Sequence, residues 1–167
     1  MFKPFHMLYS TICETSFGCF EIKGSKLGIS SLKLTEKEKN VEAVPDVLQA
    51  AVTQLEEYFS SKREVFDLQL DWAGATPFNI SVWTELLKIP FGRTTSYSAI
   101  AEKIGNPTAV RAVGLANRNN PIAIVVPCHR VIAKSGDLQG YFYGLDMKRR
   151  LLELENPMSF ARQGSLF

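Results

Sequence analysis

Ile122 to Val126 (Ile-Ala-Ile-Val-Val) is an unbroken apolar run that ends abruptly in Pro127-Cys128-His129-Arg130. A segment without a polar side chain has to be buried, so this run marks the centre of the core and carries a cysteine against a histidine at its end. Pro127 fixes φ and removes a backbone donor, which suits a chain leaving a strand-like segment at a sharp angle. Cys128 is therefore expected at a corner. A thiol attacks only as its thiolate, and a neighbouring imidazole can take the proton, so the pair is a candidate nucleophile and base. Free cysteine is also among the most buried residue types, and the pair alone is equally compatible with plain packing.

The segments before it divide in two. Phe17 to Lys23 and Lys26 to Leu34 are β-prone runs separated by Gly24-Ser25, the pattern of a hairpin. Thr35 to Asn40 is a charged loop. Pro45 to Ser60 places Val47, Leu48, Ala51, Leu55, Tyr58 and Phe59 at helical spacing, with Pro45 suited to a first turn. Phe66, Leu68, Leu70 and Trp72 alternate with Asp67, Gln69 and Asp71, which predicts a strand with one buried face. Ala73-Gly74-Ala75 is a small-residue linker.

Beyond it, Thr76 as N-cap and Pro77 at the first helical position predict a helix that runs through Phe78 to Ile89 and stops at Pro90-Phe91-Gly92. Ser96 to Ile104 is a short helix ended by Gly105, and Asn106-Pro107 restarts the chain into a second over Thr108 to Asn117. Two short helices on a glycine-containing turn make a helix-turn-helix candidate, with Arg111 and Arg118 available to phosphates or bases. They are also common as core helical hairpins. Ala109, Ala112, Gly114 and Ala116 would let the second helix approach a narrow groove closely. No β signal precedes Ile122 in this half.

Pro-Cys-His-Arg-Val-Ile, then Gly140-Tyr141, Gly144-Leu145 and Lys148 to Glu155 (Lys-Arg-Arg-Leu-Leu-Glu-Leu-Glu) form a string of spaced elements that resembles the active-site block of the O6-alkylguanine-DNA alkyltransferases. The resemblance reaches back to about Phe78. It implies an α/β fold: an N-terminal sheet-plus-helix domain of ribonuclease H-like type over residues 1–75, a mainly helical domain with a helix-turn-helix over 76–160, and a tail over 161–167. It implies repair of DNA by irreversible transfer of an alkyl group from guanine O6, with thymine O4 as a further donor site, to Cys128. The target nucleotide is rotated out of the duplex, because an atom inside the stack is out of reach of a buried thiol.

Residue by residue, the resemblance gives Cys128 as nucleophile, His129 as base, Glu155 as the carboxylate orienting the histidine, and Asn120 as the tie between recognition helix and active-site turn. From the residues alone, Asn120-Pro121 is equally a helix-ending pair. Arg111 corresponds to the arginine that fills the vacated stack, and Tyr97 to the tyrosine that donates toward the purine. Ser98, Asn106 and Lys134 fall at DNA-backbone positions, and Val131, Tyr141, Phe142 and Tyr143 at the base pocket. Glu153 lies on another helical face and is expected to be solvated. The chain departs from the common Gly-Tyr-x-Gly-Gly pattern at Phe142 and Tyr143, which puts pocket size in question, and its tail from Ser159 to Phe167 matches nothing in the family. Some relatives hold zinc in the N-terminal domain. Here only His6, Cys13 and Cys19 are available, at irregular spacing, so no metal or cofactor is expected.

Charge supports a polyanionic partner. Residues 1–75 hold 8 Lys and Arg against 11 Asp and Glu, a balance of −3, whereas 76–160 hold 10 against 6, a balance of +4. The half with the thiol is the basic one. With 46% hydrophobic and 22% charged residues the chain has a globular composition. No apolar run approaches the ~20 residues needed to cross a bilayer, and the first residues lack a signal peptide's apolar core. Three cysteines without a framework spacing suit a reducing compartment. The chain is expected to be a cytoplasmic monomer whose partner is double-stranded DNA containing alkylated guanine, with no membrane association. Two alternatives are a non-catalytic module that recognises damaged DNA, which the presence of Cys128 opposes, and a Cys-His hydrolase working through a thioester.

Overall fold

The computed structural model describes residues 6–38 and 43–158, so the expected tail, 161–167, lies outside the described residues. The chain forms two compact units, one of residues up to Gly74 together with Pro121–Ala123, the other of Ala75–Asn120 and the chain from Ile124 onward. The architecture is α/β, with a small antiparallel sheet in the first unit and helices dominating the second.

In the first unit, β1 (Tyr9–Thr15), β2 (Gly18–Ser25) and β3 (Gly28–Thr35) form an antiparallel meander in sequence order. Its pairing sets Cys13, Phe20 and Leu34 in one row and Thr11, Ile22 and Leu32 in the next, so side chains two apart collect on one face. Against that face packs α1 (Asp46–Phe59), which buries Leu48, Ala51, Val52, Leu55, Tyr58 and Phe59. Phe59 stacks on Phe20 at 5.3 Å between ring centroids. Each of the large aliphatic and phenyl side chains among them contributes about 1.5 to 3 kcal/mol of transfer free energy.

The sequence pattern missed β1 and misplaced the hairpin turn. Gly24 and Ser25 belong to β2, paired with Ile29 and Gly28 across a bulge at Lys23/Gly24, and the turn is Lys26-Leu27. Gly28 is required there: its φ is +132°, and a Cβ would stand 2.6 Å from the Gln69 carbonyl oxygen. The expected strand at Phe66 to Trp72 is reduced to one bridge, Leu70 to Ile29. Its exposure alternates as predicted, but Gln54 of α1 takes both backbone groups of Asp67, its amide donating to the carbonyl at 2.9 Å and its oxygen accepting from the N–H at 2.8 Å. A side chain has replaced the ladder. Pro121–Ala123 join this unit through Leu32, whose N–H donates to the Pro121 carbonyl at 2.9 Å and whose carbonyl accepts from Ala123 at 3.0 Å.

In the second unit, α2 (Pro77–Leu86) begins as predicted, with Thr76 Oγ1 accepting from the Asn79 N–H at 3.2 Å. It ends three residues early, because Lys88 and Ile89 donate to carbonyls three residues back and tighten the chain out of the α form. The two-residue strand β4 (Thr95–Ser96) was too short to show in a pattern, and pairs in parallel with β5 (Val131–Ile132). Ser96 caps α3 (Tyr97–Lys103) by accepting from the Ala99 N–H at 3.1 Å, and Gly105 at φ +76° leads out toward α4 (Val110–Arg118). The last helix is α5 (Leu145–Glu155). Trp83 of α2 donates its indole N–H to the Ala116 carbonyl at 2.8 Å, fixing α2 against α4 over a core that includes Val82, Leu86, Ile100 and Val113.

The apolar run at Ile122 to Val126 is buried as expected, yet it forms isolated bridges and no continuous strand, with Ile122 pairing to Leu32. Ile124 has φ 72°, a left-handed conformation disfavoured for a β-branched side chain, at a cost of order 1 to 3 kcal/mol. The bend falls just before the Pro-Cys-His corner.

Candidate active site

Cys128–Arg130 is a single 3-10 turn, entered by the Cys128 N–H donating to the Val126 carbonyl at 2.8 Å. Two asparagines at the end of α4 hold it. Asn120 Nδ2 donates to the Val126 carbonyl at 2.8 Å, and Asn117 Nδ2 to the Cys128 carbonyl at 3.3 Å. Sequence reading found Asn120 and missed Asn117. The signal available was a polar residue on the buried side of α4, three positions from Asn120.

Cys128 is 5% exposed. Burial pushes its thiol above the usual range, while a hydrogen bond from Asn120, the Lys148 ammonium and the backbone N–H groups of Cys128 and His129 pull the other way. At rest it is a thiol, surrounded by groups that stabilise the anion once it forms.

His129 is fully buried, with Nε2 2.7 Å from Glu155 Oε1. Arg130 binds the same carboxylate twice, Nε to Oε2 at 2.8 Å and Nη2 to Oε1 at 2.9 Å, and its Nη1 donates to the Ile89 carbonyl at 2.7 Å. The Gly92 N–H adds a donor to Oε2 at 3.2 Å. Gly92 has φ +70°, and a Cβ there would lie 3.1 Å from the Glu155 carbonyl oxygen, so only glycine suits this approach. Burial acts to raise the Glu155 carboxyl, but the hydrogen bond from His129 and the hydrogen bonds and charge of Arg130 outweigh it and hold the group well below the carboxylate range. Burial, then the neighbouring cations Arg130 and Lys148, lower the His129 imidazole against the pull of Glu155. Arg130 already matches the carboxylate, so the pair is best written as a neutral imidazole donating Nε2–H to an ionised Glu155. That tautomer leaves Nδ1 as an acceptor, and Nδ1 has no hydrogen-bond partner among the described residues.

Lys148, in the middle of α5, was not singled out from the sequence. Its residue is 0% exposed, and Nζ donates to the carbonyls of Val131 at 2.5 Å and Gln139 at 2.6 Å. Burial pushes its pKa down to about 8. The Tyr97 hydroxyl donates to the Gln139 and Gly140 carbonyls at 3.1 and 3.3 Å, so two side chains grip one loop. Between this loop and α4 opens a cleft of about 480 Å³, whose lining includes Tyr97, Arg111, Gly114, Arg118, Gly140 and Tyr141.

The remaining expected residues are dispersed. Val131 is fully buried, its carbonyl taken by Lys148. Tyr143 is half-buried and edge-on to both Tyr141, at 5.7 Å, and Phe142, at 5.0 Å, while Phe142 is 63% exposed. Ser98 sits 3.0 Å from Ser96 between hydroxyl oxygens, Asn106 accepts from Thr108 at 3.1 Å, and Lys134 is exposed on the turn between Ala133 and Asp137. In the first unit, Cys13 pairs with Phe20 and Cys19 with Glu14, which turns the two thiols to opposite sheet faces. No group of three or more potential metal ligands occurs among the described residues, and no helix among them is long and apolar enough to cross a membrane.

Residues 77–157 match the family described as 6-O-methylguanine DNA methyltransferase, DNA binding domain, and residues 7–72 match 6-O-methylguanine DNA methyltransferase, ribonuclease-like domain. The chain is 46% identical over 154 residues to a methylated-DNA--protein-cysteine methyltransferase of Methanosarcina barkeri, covering 89% of this chain and 97% of the relative. It is 44% identical over 160 residues to the protein of the same name from Mycobacterium tuberculosis, covering 93% and 96%. Among solved structures, the crystal structure of the M. tuberculosis O6-methylguanine methyltransferase superimposes with a TM-score of 0.80 at 43% identity, covering 90% of this chain and 94% of that one. A structure of the M. tuberculosis protein in complex with DNA gives 0.79 at 45% identity, covering 89% and 92%.

Proposed function

The chain belongs to the 6-O-methylguanine DNA methyltransferase family, and we propose that Cys128 is the residue through which it repairs DNA, by taking the alkyl group from guanine O6. The observation that carries this assignment is the buried His129–Glu155 pair beside the thiol, with the carboxylate charge already matched by Arg130.

In this reading the thiol proton passes, through water or directly, to Nδ1 of His129 as the base arrives, and Glu155 holds the imidazolium that results. The Cys128 sulfur attacks the alkyl carbon, the carbon–sulfur bond forms, and the carbon–O6 bond breaks with its electron pair leaving on guanine. Tyr97, at the cleft, turns its hydroxyl proton from the Gln139 and Gly140 carbonyls toward the departing purine. Lys148 and the turn's backbone N–H groups stabilise the sulfur anion in transit. A thioether has no carbonyl for water to attack, so the thiol is not regenerated and each molecule acts once.

DNA is the partner, and the paired helices α3 and α4 serve as the helix-turn-helix, with α4 entering the minor groove. Arg111, on the cleft, occupies the stack vacated by the flipped nucleotide. Ser98, Asn106 and Lys134 contact the phosphate backbone, and the loop at Tyr141 to Tyr143 walls the pocket for the base.

The test is Cys128→Ser with duplex DNA containing O6-methylguanine. The variant is expected to bind the DNA and transfer no methyl. Residual transfer mapped to Cys13 or Cys19 would overturn the assignment.

A further inference from the structure

The outward face of α4 carries a leucine that neither the core nor the chemistry accounts for. Val113, Ala116 and Asn117 form the buried side of the helix. Opposite them, Arg111, Leu115 and Arg118 fall at i, i+4 and i+7, all exposed, and Leu115 is 60% open to solvent. A single exposed leucine is ordinary on a protein surface. This one is set between two arginines on a helix without an acidic residue, so what covers it is polyanionic on either side of an apolar contact.

Gly114, the neighbouring residue, leaves the cleft side of α4 bare. An interior helical glycine is destabilising relative to alanine. Nothing inside the protein requires it: an added Cβ would meet only the Tyr97 ring, at an ordinary 4.0 Å. The missing side chain therefore leaves room for a surface outside the chain.

Geometry also separates Leu115 from the flipped base. The cleft is lined on α4 by Val110, Arg111, Gly114 and Arg118, and not by Leu115. At about 100° per residue, Gly114 lies roughly 60° to one side of Arg111 and Leu115 roughly 40° to the other. Leu115 thus faces away from the cleft.

We propose that Leu115 is a minor-groove wedge, packing its side chain against the partner strand beside the step that Arg111 enters, and so favouring extrusion of the target nucleotide from duplex DNA. This rests on the repair function proposed above. Apolar side chains inserted between steps from the minor groove unstack them and bend the duplex, which lowers the cost of removing one nucleotide.

The experiment measures single-turnover methyl transfer from duplex DNA and from free O6-methylguanine, and compares the ratio of the two rates in the parent protein, Leu115→Ala and Leu115→Met. The ratio is expected to fall roughly tenfold in Leu115→Ala and to recover in Leu115→Met, which keeps apolar volume. The fluorescence of 2-aminopurine placed in the partner strand next to the lesion should rise on binding the parent and rise less with Leu115→Ala. A ratio unaltered in Leu115→Ala, or not recovered in Leu115→Met, overturns the wedge. A parent protein that transfers methyl from neither substrate overturns the function reading instead.

Discussion

Nε2 of His129 lies 2.7 Å from Oε1 of Glu155, and both side chains are fully withdrawn from solvent. Such a pair usually carries the whole charge of its carboxylate, but here Arg130 shares it, which leaves the imidazole neutral and its second nitrogen open to a proton.

Glu155→Gln removes the one anion that both His129 and Arg130 face. Because a buried guanidinium is left unmatched, folding stability should drop by about 3 kcal/mol or more. Methyl transfer should fall with it even where the variant is still folded, since the amide can no longer hold an imidazolium. Denaturant midpoints and single-turnover rates check both, and a variant as stable and as fast as the parent contradicts the network.

The same network sets a pH dependence. The folded-state values of both His129 and Glu155 are depressed, so as pH falls the unfolded chain takes up protons at these sites before the folded one does. The stability they contribute is therefore complete above the ordinary histidine value of 6.5, and is lost as pH falls through 6.5 and then through the ordinary carboxyl value of 4.5. Lys148, lowered from 10.5 to about 8, acts with the same sign on the alkaline side. Chemical denaturation across the acid range should show stability falling steadily, with a shallower fall in Glu155→Gln.

Arg111→Ala tests extrusion. With nothing to fill the vacated stack, repair of duplex DNA should slow by about tenfold or more relative to reaction with free modified base. Equal losses on the two substrates would count against a role in flipping.

Tyr143 packs edge-on against Tyr141 and Phe142 and is not among the residues lining the cleft beside α4, so benzyl reactivity tests whether its ring fills the proposed base pocket or stands clear of it. A benzyl group must displace that packing, at a typical cost of ~1 to 3 kcal/mol. Free O6-benzylguanine should inactivate the parent poorly and Tyr143→Gly at least about tenfold faster. Unchanged benzyl reactivity refutes the steric account.

The sequence made some of this legible and hid the rest, for physical reasons. Helix starts at Thr76 and Ser96 are written in single capping residues, and both caps form. The Cys128–His129 corner follows from local order, whereas its tie to Asn120 was implied only by the resemblance to the alkyltransferases. Lys148 was invisible because it sits in a polar-looking stretch, and for Arg130 as well as Lys148 only the fold shows that the charge is buried against carbonyls and a carboxylate. The strand expected at Phe66 to Trp72 failed because Gln54, distant in sequence, satisfies Asp67. Alternation reports which face is buried, not what the backbone bonds to.

The central claim is that one protein molecule removes one alkyl group and keeps it on Cys128. Intact mass, followed as methylated-guanine duplex DNA is added in excess, tests this most directly. The mass should rise by one methyl and stop, with peptide mapping placing the methyl on the Cys128 sulfur. Repair of more lesions than there are protein molecules, or a methyl on any other residue, would contradict it.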